Sequence, residues 1–479
     1  MNTTILNKAW EALDDSIVYY KNQPVGTVAA RDPQIDALNY DQVFTRDFAI
    51  SAMAFMLNGR HDIVKNFLSI LLELQSREKS FDCFDPGQGL MPVSFKVEKD
   101  ENGREHLNAD FGEKAIGKVA PVDAVFWWLY ILRIYTHLSG DKKFYQQTEV
   151  QKGIRLILDL SLPARFDMFP TLLVQDGSFM IDRRMGVYGY PLDIQSLFYT
   201  ALLSAKELLT ETKENHPYIE GVKDRLGHLI YHIRKYYWLD MDRLNEMYRY
   251  DVEGYGGKTR NVFNIYPDAI PQWLFDWLPD KSGYFAGNLG PGRMDFRFFS
   301  SGNLMAVISS LAGKDQADQI LKLMEDRWDQ LVSYMPLKVC FPALEGTEWK
   351  TLTGGDPKNT AWSYHNAAGW PFLLWVFTAA AIKNERPALA EQAIAIAEKR
   401  IEKDQWPEYY DGKQNRMIGK EARLYQTWTF AGYITAFAML KDPESSKSLT
   451  FGEDQEVIAC STKTQAEYEQ KVYFNEPGW

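Results

Sequence analysis

Hydrophobic residues in this 479-residue chain recur at helical spacing over long segments, whereas strand-like runs are few. This periodicity predicts a mostly helical protein with about twelve helices separated by loops. The predicted helices cover residues 4–21, 44–58, 61–76, 121–139, 143–160, 192–212, 217–238, 298–312, 315–331, 365–383, 387–404 and 422–440.

The predicted helices are of two kinds, which alternate along the chain. Those near residues 61, 217, 315 and 387 carry a single apolar stripe, as Ile219, Val222 and Leu226 illustrate, and need burial on one side only. Those near 44, 121, 192, 298, 365 and 422 are apolar or small all round, which is typical of enclosed helices. The alternation predicts an all-α (α/α)6 toroid of six inner and six outer helices. An open stack of helical hairpins is the alternative.

Three long segments, two connections and the C-terminal tail, interrupt the helical pattern. Alternating apolar residues around Asn102-Gly103, within residues 77–120, indicate a β-hairpin. Residues 239–297 are rich in Tyr, Gly and Pro, and a connection this long in a compact domain is usually functional. Since no linker divides the chain, residues 1–441 are predicted to form one domain, followed by a polar tail at 442–479 that we expect to pack loosely.

Composition narrows the possible ligands and the compartment. A formal net charge of -11 provides no basic field for nucleic acid or anionic lipid, so a small neutral ligand fits better. The 14 Trp and 26 Tyr suit sugar stacking, although core packing is their commoner use. No apolar run is long enough to cross a bilayer, and the first residues contain no apolar signal core. We therefore expect a soluble, cytoplasmic protein.

The cysteine and histidine pattern indicates neither a disulfide framework nor a metal site. Cys83, Cys340 and Cys460 are widely separated and odd in number, which favours a reducing compartment. The seven histidines show no metal-ligand spacing. We expect no metal and no cofactor.

Polar residues concentrate in the connections that precede the enclosed helices, whereas the turns after those helices are short. In an alternating ring all connections of one kind open at the same end, so one functional face is predicted. Carboxylates and aromatic residues without a metal cluster or phosphate loop favour acid–base chemistry on a polyhydroxylated ligand. The candidates are Tyr40, Arg46, Asp47, Asp123, Asp182, Arg184, Asp193, Asp295, Arg297, Trp362, Tyr364, His365, Asn366, Glu408 and Tyr409.

Structural roles compete with chemical ones at several candidates. Asp47 and Asp123 suit the first turn of a helix, where a carboxylate stabilises the N-terminus. Asp295 lies between Arg293 and Arg297, so its carboxylate is expected to be paired and not to act as a free base.

Asp182 and Glu408 are the strongest candidates for the chemistry. Asp182 precedes the Gly186 and Gly189 hinge, and Glu408 lies in the aromatic stretch WPEYYD. An apolar wall raises the pKa of a carboxyl group and a neighbouring cation lowers it, so two carboxylates in unlike settings can divide acid and base roles. Which residue takes which role stays open from the residues alone.

Several segments between about residues 35 and 440 closely resemble the neutral/alkaline invertases of cyanobacteria and plants, in order and at the spacing of that family. They are NYDQVFTRDF, MPVSFKV, DFGEKAIGKVAPVD, FMIDRRMG, MDFRFF, MPLKVC, DPKNTAWSYHN, WPEYYDG and QTWTFAGY. The resemblance implies an (α/α)6 glycoside hydrolase that splits sucrose into glucose and fructose in the cytosol without a cofactor.

The resemblance also implies residue roles. Asp182 in IDRRMG would be the general acid and Glu408 in WPEYYDG the general base, and the Arg46-Asp47 pair would hold hydroxyls of the glucosyl ring. Further subsite residues would be Asp123, Asp295, Arg297, Tyr364, His365 and Asn366.

We expect inversion with cleavage at the glucosyl C1, which calls for carboxyl groups roughly 6.5 to 9.5 Å apart. Another disaccharide glucosidase or phosphorylase on the same toroid, and a non-catalytic sugar-binding toroid, are the alternatives. The sugar is the expected partner, and a homo-oligomer is a further expectation.

Overall fold

The computed structural model describes residues 1–33, 40–77, 87–113, 121–163, 170–254, 259–290 and 293–474, with side chains up to residue 466. Cys83 lies outside these residues. The α-helices, in chain order, are α1 (Thr3–Asp15), α2 (Thr45–Leu57), α3 (His61–Leu74), α4 (Ala124–Ser139), α5 (Lys142–Tyr145), α6 (Thr148–Ser161), α7 (Leu192–Leu208), α8 (His216–His232), α9 (Met241–Arg249), α10 (Gln272–Trp277), α11 (Ser300–Ile308), α12 (Lys314–Asp326), α13 (Trp328–Leu331), α14 (Gly346–Thr353), α15 (Leu374–Lys383), α16 (Pro387–Glu398), α17 (Thr427–Lys441) and α18 (Gln455–Phe474).

Short antiparallel strands decorate the helices. They are β1 (Ile17–Tyr20), β2 (Gln23–Thr27), β3 (Val43–Phe44), β4 (Ser94–Lys99), β5 (Glu105–Asp110), β6 (Trp238–Leu239), β7 (Tyr284–Phe285), β8 (Asn288–Gly290), β9 (Arg293–Asp295), β10 (Phe298–Phe299), β11 (Cys340–Phe341), β12 (Tyr410–Asp411) and β13 (Met417–Ile418). Strands β4 and β5 form the predicted hairpin, in register from Ser94 opposite Asp110 to Lys99 opposite Glu105. Strand β3 pairs with β4 and ties this hairpin to the start of α2.

The enclosed helices form a closed inner ring. Helices α2, α4, α7, α11, α15 and α17 pack side by side in that order, and α17 returns to contact α2. In α2 every residue from Phe48 to Met56 is buried, and in α7 every residue from Leu192 to Ala205. The contact between α17 and α2 excludes the open stack, and the predicted toroid is confirmed.

One-sided helices make the outer layer. Helix α1 packs on α17, α3 on α2 and α4, α6 on α3, α8 on α7, α12 on α11, and α16 on α15 and α17. Helix α12 buries Ile320, Leu321 and Met324, whereas Lys314 and Asp315 at its start are exposed. This is the single apolar stripe that the periodicity predicts.

Two inner helices begin later than predicted. Helix α15 starts at Leu374 and not at 365, after a 3-10 turn at Pro371–Leu373, and α17 starts at Thr427 and not at 422. Tyr364 and Ala367 have φ values of 48° and 72°, in the left-handed region that interrupts a right-handed helix. The residues in front of α15 are therefore free to form irregular backbone at the mouth of the ring.

The expectation of a loosely packed tail is wrong. Residues Gln455–Phe474 form α18, which packs along α8. Its buried side chains Val457, Ser461 and Thr464 follow helical spacing and form one buried face. Two of the three are polar, so the pattern of apolar residues does not reveal this face. Gly227 of α8 permits this close approach, because a Cβ there would lie 2.7 Å from the Sγ of Cys460.

Within the described part of the chain, no helix combines the length and the apolar character needed to traverse a bilayer.

Two helical glycines test the packing of the ring, and we expect Gly432→Ala and Gly221→Ala to shift stability in opposite directions. A Cβ at Gly432 in α17 would lie 2.5 Å from the carbonyl oxygen of Phe372, so Gly432→Ala should lower the free energy of unfolding by about 1–3 kcal/mol. At Gly221 in α8 the nearest atom, of Leu162, is 3.5 Å away, so Gly221→Ala should raise it by about 0.5–1 kcal/mol. Urea unfolding measures both, and equal effects would contradict this account of α17.

Candidate active site

The two strongest candidates border one cavity. Asp182 and Glu408 line a space of about 130 Å³ at the end of the ring where the inner helices begin. Other predicted residues at this cavity are Tyr40, Arg46, Asp47, Tyr364 and His365. They come from the first turn of α2 and from the segments in front of α2, α7, α15 and α17. The fold therefore brings these seven side chains together, as an alternating ring predicts.

Asp182 sits between an aromatic hydroxyl and an imidazole. The hydroxyl of Tyr364 donates to Oδ1 of Asp182 at 3.1 Å, and Nδ1 of His365 lies 3.5 Å from the same oxygen. Burial raises the pKa of Asp182, and the charges of Arg46 and Lys358 and the Tyr364 hydrogen bond oppose that rise. The side chain keeps 33% of its surface exposed, so it is reachable from the cavity. A carboxyl group in this setting can hold a proton above its usual range.

Glu408 is more enclosed and meets more donors. Only 5% of its side chain is exposed. The Tyr40 hydroxyl donates to Oε1 at 3.3 Å, the backbone N–H of Arg423 donates to Oε2 at 3.3 Å, and Nζ of Lys358 lies 4.0 Å from Oε2. Burial raises the pKa of Glu408, whereas Lys358 and the Arg423 N–H lower it. Two donors and a cation around the carboxylate favour its ionised form, which a general base requires.

His365 is a neutral member of the site. Its side chain is 1% exposed, and its ring stacks on Trp370 with centroids 5.1 Å apart. Burial, followed by the charges of Lys358 and Arg46, holds the pKa of His365 well below 6.5. Its Nδ1 meets no hydrogen-bond partner among the described residues. A neutral imidazole with an unused nitrogen can bind a hydroxyl group.

The two members of the predicted Arg46-Asp47 pair have different partners. Arg46 donates from Nε to Oδ2 of Asp123 at 2.5 Å and from Nη2 to Oδ1 at 3.1 Å, a two-point ion pair. Among the hydrogen bonds of the described residues, Asp47 receives one long contact, from Nε2 of Gln426 at 3.5 Å. Burial raises the pKa of Asp47 to about 7 against the opposing charge of Arg46. Asp123 therefore fixes the position of Arg46. Of the two carboxyl groups, Asp47 borders the cavity and Asp123 does not line it.

Asp295 and Arg297 lie at a different cavity. Arg297 donates from Nε to Oδ1 of Asp295 at 2.9 Å and from Nη2 to Asp295 and to the backbone oxygen of Met185. The expected pairing of Asp295 is thus confirmed. Both residues line a separate space of about 690 Å³, which shares no lining residue with the cavity at Asp182. Their predicted contact with the same sugar is not supported by this arrangement.

Four other candidates have structural partners. The side-chain amide of Asn366 donates to the backbone oxygens of Leu344 and Asn359. Tyr409 donates its hydroxyl to Lys420 and stacks on Trp370. None of the four lines the 130 Å³ cavity as the described residues define it. These four are Arg184, Trp362, Asn366 and Tyr409.

Trp362 and Arg184 make their contacts outside this cavity. The indole N–H of Trp362 donates to Oε1 of Glu345 at 2.6 Å, and its ring packs near Phe341. Arg184 is exposed, and its Nη1 lies beside Gly354.

Asp193 is buried deeper in the ring. It lies in the first turn of α7, beside a space of about 30 Å³ that Arg46 and Asp123 also border. Its Oδ1 has no hydrogen-bond partner among the described residues, and burial raises its pKa to about 7. This carboxyl is close to the site but outside the cavity of Asp182 and Glu408.

Several residues that line this cavity were missed as binding candidates, among them Gln42, Asp110, Gln426 and Trp428. Gln426 and Trp428 lie at the start of α17, in the kind of segment that identified Asp47. Lys358 does not line the cavity as the described residues define it, but its Nζ lies 4.0 Å from Oε2 of Glu408. Among the described residues, no group of three His, Cys, Asp or Glu side chains has the arrangement of a metal site.

Comparison with protein families gives an extended match. The family model described as "Alkaline and neutral invertase" matches residues 9–443. Neutral/alkaline invertase 3, chloroplastic, of Oryza sativa subsp. japonica is 54% identical over 468 residues, which cover 96% of this chain and 77% of that protein. Cytosolic invertase 1 of the same organism is 53% identical and covers 94% and 81%. Alkaline/neutral invertase C, mitochondrial, of Arabidopsis thaliana is 53% identical and covers 95% and 70%.

Solved structures with the same architecture are much more distant in sequence. A bacterial glucoamylase complexed with acarbose superposes with a TM-score of 0.54 at 12% identity, covering 95% of this chain and 57% of that one. A family 63 mannosylglycerate hydrolase from Thermus thermophilus superposes with a TM-score of 0.52 at 12% identity, covering 90% and 98%. These likenesses concern the fold alone, and they agree with the (α/α)6 toroid.

We expect Asp193→Asn to stabilise the protein more at pH 8 than at pH 5. The folded carboxyl keeps its proton up to about pH 7, whereas the unfolded one loses it near 3.8, so the folded chain binds more protons between these values. The parent therefore loses stability as pH rises through this window, and the amide does not. The gain should grow by about 2–3 kcal/mol between pH 5 and pH 8.

Chemical unfolding at both pH values measures this difference. Asp62→Asn, at an exposed carboxyl in the first turn of α3, is the matched control and should show no such change over the same range. A gain at Asp193 that is equal at both pH values would contradict a protonated buried carboxyl.

Proposed function

This chain belongs to the alkaline and neutral invertase family of glycoside hydrolases, and from that premise we propose that it hydrolyses sucrose to glucose and fructose with inversion at the glucosyl C1. The observation that carries the mechanism is that Asp182 and Glu408 border one small cavity in different electrostatic settings. Inverting hydrolysis needs one carboxylic acid and one carboxylate on opposite sides of the bond that breaks.

Asp182 is the proposed general acid. Burial raises its pKa, so a protonated fraction persists toward neutral pH, and its partly exposed side chain can reach a bridging oxygen. Tyr364 supports this role in two ways. Its hydroxyl fixes the orientation of the carboxyl group, and the same hydrogen bond stabilises the carboxylate left after proton transfer.

Glu408 is the proposed general base. Lys358 and the Arg423 N–H oppose the rise in the pKa of Glu408 that burial causes, and so favour its carboxylate form. Tyr40 also donates to this carboxyl group, and these contacts limit its rotation. A water molecule between Glu408 and the glucosyl C1 would lose a proton to this carboxylate as it attacks. The two carboxyl groups must then lie roughly 6.5 to 9.5 Å apart in the complex, leaving room for that water.

Asp47 and His365 are the proposed ligands of the glucosyl hydroxyls. His365 is buried and Asp47 is half-buried at the cavity wall. Nδ1 of His365 has no hydrogen-bond partner among the described residues, and Asp47 receives a 3.5 Å contact from Gln426. Both side chains can therefore bind further hydroxyl groups. Arg46 contributes its positive charge but is fixed by Asp123. A cytoplasmic location is also proposed, in line with the relative named cytosolic.

We expect hydrolysis of sucrose in labelled water to give β-glucose first, with the label at glucose C1. Attack by water on the face opposite the leaving fructose inverts the α-glucosyl centre. Proton NMR during the first minutes resolves the anomer, and mass spectrometry locates the label. Initial α-glucose would overturn the inverting mechanism, label in fructose would overturn cleavage at the glucosyl bond, and strict dependence on phosphate would overturn hydrolysis.

Substitutions test the catalytic roles of Asp182 and Glu408. Asp182→Asn and Glu408→Gln should each lower kcat by about 10²-fold or more with the melting temperature retained, because a positioned acid or base contributes on that scale. Glu421→Gln is the matched control, since Glu421 is an exposed carboxyl near the same face. Full activity of Glu408→Gln would contradict the role of Glu408.

We expect Lys358→Gln to move both limbs of the pH–rate profile to higher pH. After burial, which raises the pKa of Glu408, the Lys358 charge lowers it, and the same charge lowers the pKa of Asp182. Without the Lys358 charge, the pKa values of Glu408 and Asp182 both rise, so the base becomes protonated at a higher pH and the acid keeps its proton to a higher pH. Rate profiles from pH 5 to 9 measure the shift.

Lys413→Gln is the control for this pH profile, since Lys413 is an exposed lysine near Glu345 on the same side of the molecule. A profile that falls in height without moving would show that Lys358 positions groups and does not tune their charge.

A further inference from the structure

The proposed chemistry leaves a cavity of about 690 Å³ unused. It lies between the segment around Phe263 to Trp273, strands β8 and β9, and the residues that follow β11. Its volume is in the range of small-molecule sites, about 300–1,000 Å³. Since it shares no lining residue with the cavity of Asp182 and Glu408, a ligand here would be additional to the substrate.

Aromatic side chains line one part of this second cavity. Phe263, Tyr266 and Trp273 contribute to its wall, and Tyr266 is 59% exposed. Trp273 is held in place by edge contacts with Trp277 and Phe341, at centroid distances of 5.6 and 6.2 Å. A fixed indole and a ring open to solvent suit a ligand with apolar C–H surfaces.

The same wall contains a buried donor and a buried acceptor without protein partners. Arg297 uses Nε and Nη2 on Asp295 and Met185, but its Nη1 meets no acceptor among the described residues, although the side chain is only 5% exposed. Oδ1 of Asn264 is likewise buried without a donor. Buried polar groups in proteins are normally satisfied, so each unsatisfied one indicates an absent partner. A hydroxyl group can serve either of them, since it both donates and accepts.

Charge around the cavity is balanced. Arg293 and Arg297 face Asp295 and Glu348, and Nη2 of Arg293 lies 3.9 Å from Oε1 of Glu348. Burial lowers the pKa of His232 to about 4, so its imidazole is neutral at pH 7. Two cations against two carboxylates favour neither an anion nor a cation. The lining therefore suits a neutral ligand with several hydroxyl groups and an apolar face.

We propose that this cavity is a second sugar-binding site, which takes a neutral mono- or disaccharide, with Nη1 of Arg297 donating to one hydroxyl and Oδ1 of Asn264 accepting from another. The site also touches the catalytic segment. Arg297 donates through Nη2 to the backbone oxygen of Met185, three residues after Asp182. A sugar bound at Nη1 therefore contacts the guanidinium group that holds this segment. Binding at this site does not depend on hydrolysis.

Equilibrium dialysis with labelled sucrose, glucose and fructose tests the proposal on the full chain carrying Asp182→Asn, so that no sugar is consumed. We expect two moles of at least one sugar per mole of chain. Ala269→Trp should reduce this to one by filling the cavity from an exposed lining position. Asn264→Gly should do the same by removing the acceptor, and glycine accepts the backbone φ of 48° found there.

Val262→Ala is the matched control, because Val262 is exposed on the same segment and does not line the cavity as described. It should retain two bound sugars. One mole or less for all three sugars in the Asp182→Asn chain would overturn the proposal, as would two moles retained in both cavity variants. Sucrose hydrolysis by the unmodified chain is measured separately, so loss of the second site and failure of the proposed hydrolysis give different results.

Discussion

Closure of the inner ring by α17 against α2 is the contact on which the site depends. Asp182 precedes α7 and Glu408 precedes α17, and the two residues are far apart in the chain. A ring places the starts of all its inner helices around one opening, so these segments meet there although no local contact links them. The same closure turns helix N-termini, with their partial positive charge, toward the carboxylates of the site. The apolar surfaces of the six enclosed helices thus position acidic side chains that contribute little to the core themselves.

The carboxyl groups at this opening are buried and their negative charges are only partly compensated, and this determines their protonation. The pKa values of Asp47, Asp182 and Glu408 are all raised by burial, and nearby cations, chiefly Arg46 and Lys358, oppose that rise. Arg46 is already committed to Asp123 by two hydrogen bonds. Ionising every carboxyl at once is therefore unfavourable, and the cluster retains a proton near neutral pH. Shared protons of this kind belong to the group of residues and not to one side chain. An acid–base pair needs such a state, with one member protonated and the other ionised.

The sequence predicted the ring and the location of Asp182 and Glu408 at one opening, because periodicity reports how many sides of a helix are buried and the connections then follow from alternation. The prediction failed at features that the linear order of residues does not report. The left-handed backbone at Tyr364 and Ala367 makes α15 begin later than predicted, and the hydrophobic pattern does not indicate this conformation. Helix α18 packs through small and polar side chains. Asp295 and Arg297 line a different cavity from that of Asp182, and the order of the loops along the chain cannot distinguish one cavity from the other.

Asp47 shows how ligand and charge are linked at this site. Arg46 is adjacent to it in sequence but directs two N–H groups to Asp123, so the ionised form of Asp47 has little compensation beyond the long contact with Gln426. Burial raises its pKa to about 7 despite the opposing charge of Arg46. Under the proposed function, sugar hydroxyls would donate to this carboxylate and favour its charged form. Linkage then requires the sugar to bind more tightly as Asp47 ionises, and a proton to leave Asp47 on binding near neutral pH. A positively charged partner for Asp47 would have removed this coupling, so the pairing of Arg46 with Asp123 is what leaves Asp47 responsive to its ligand.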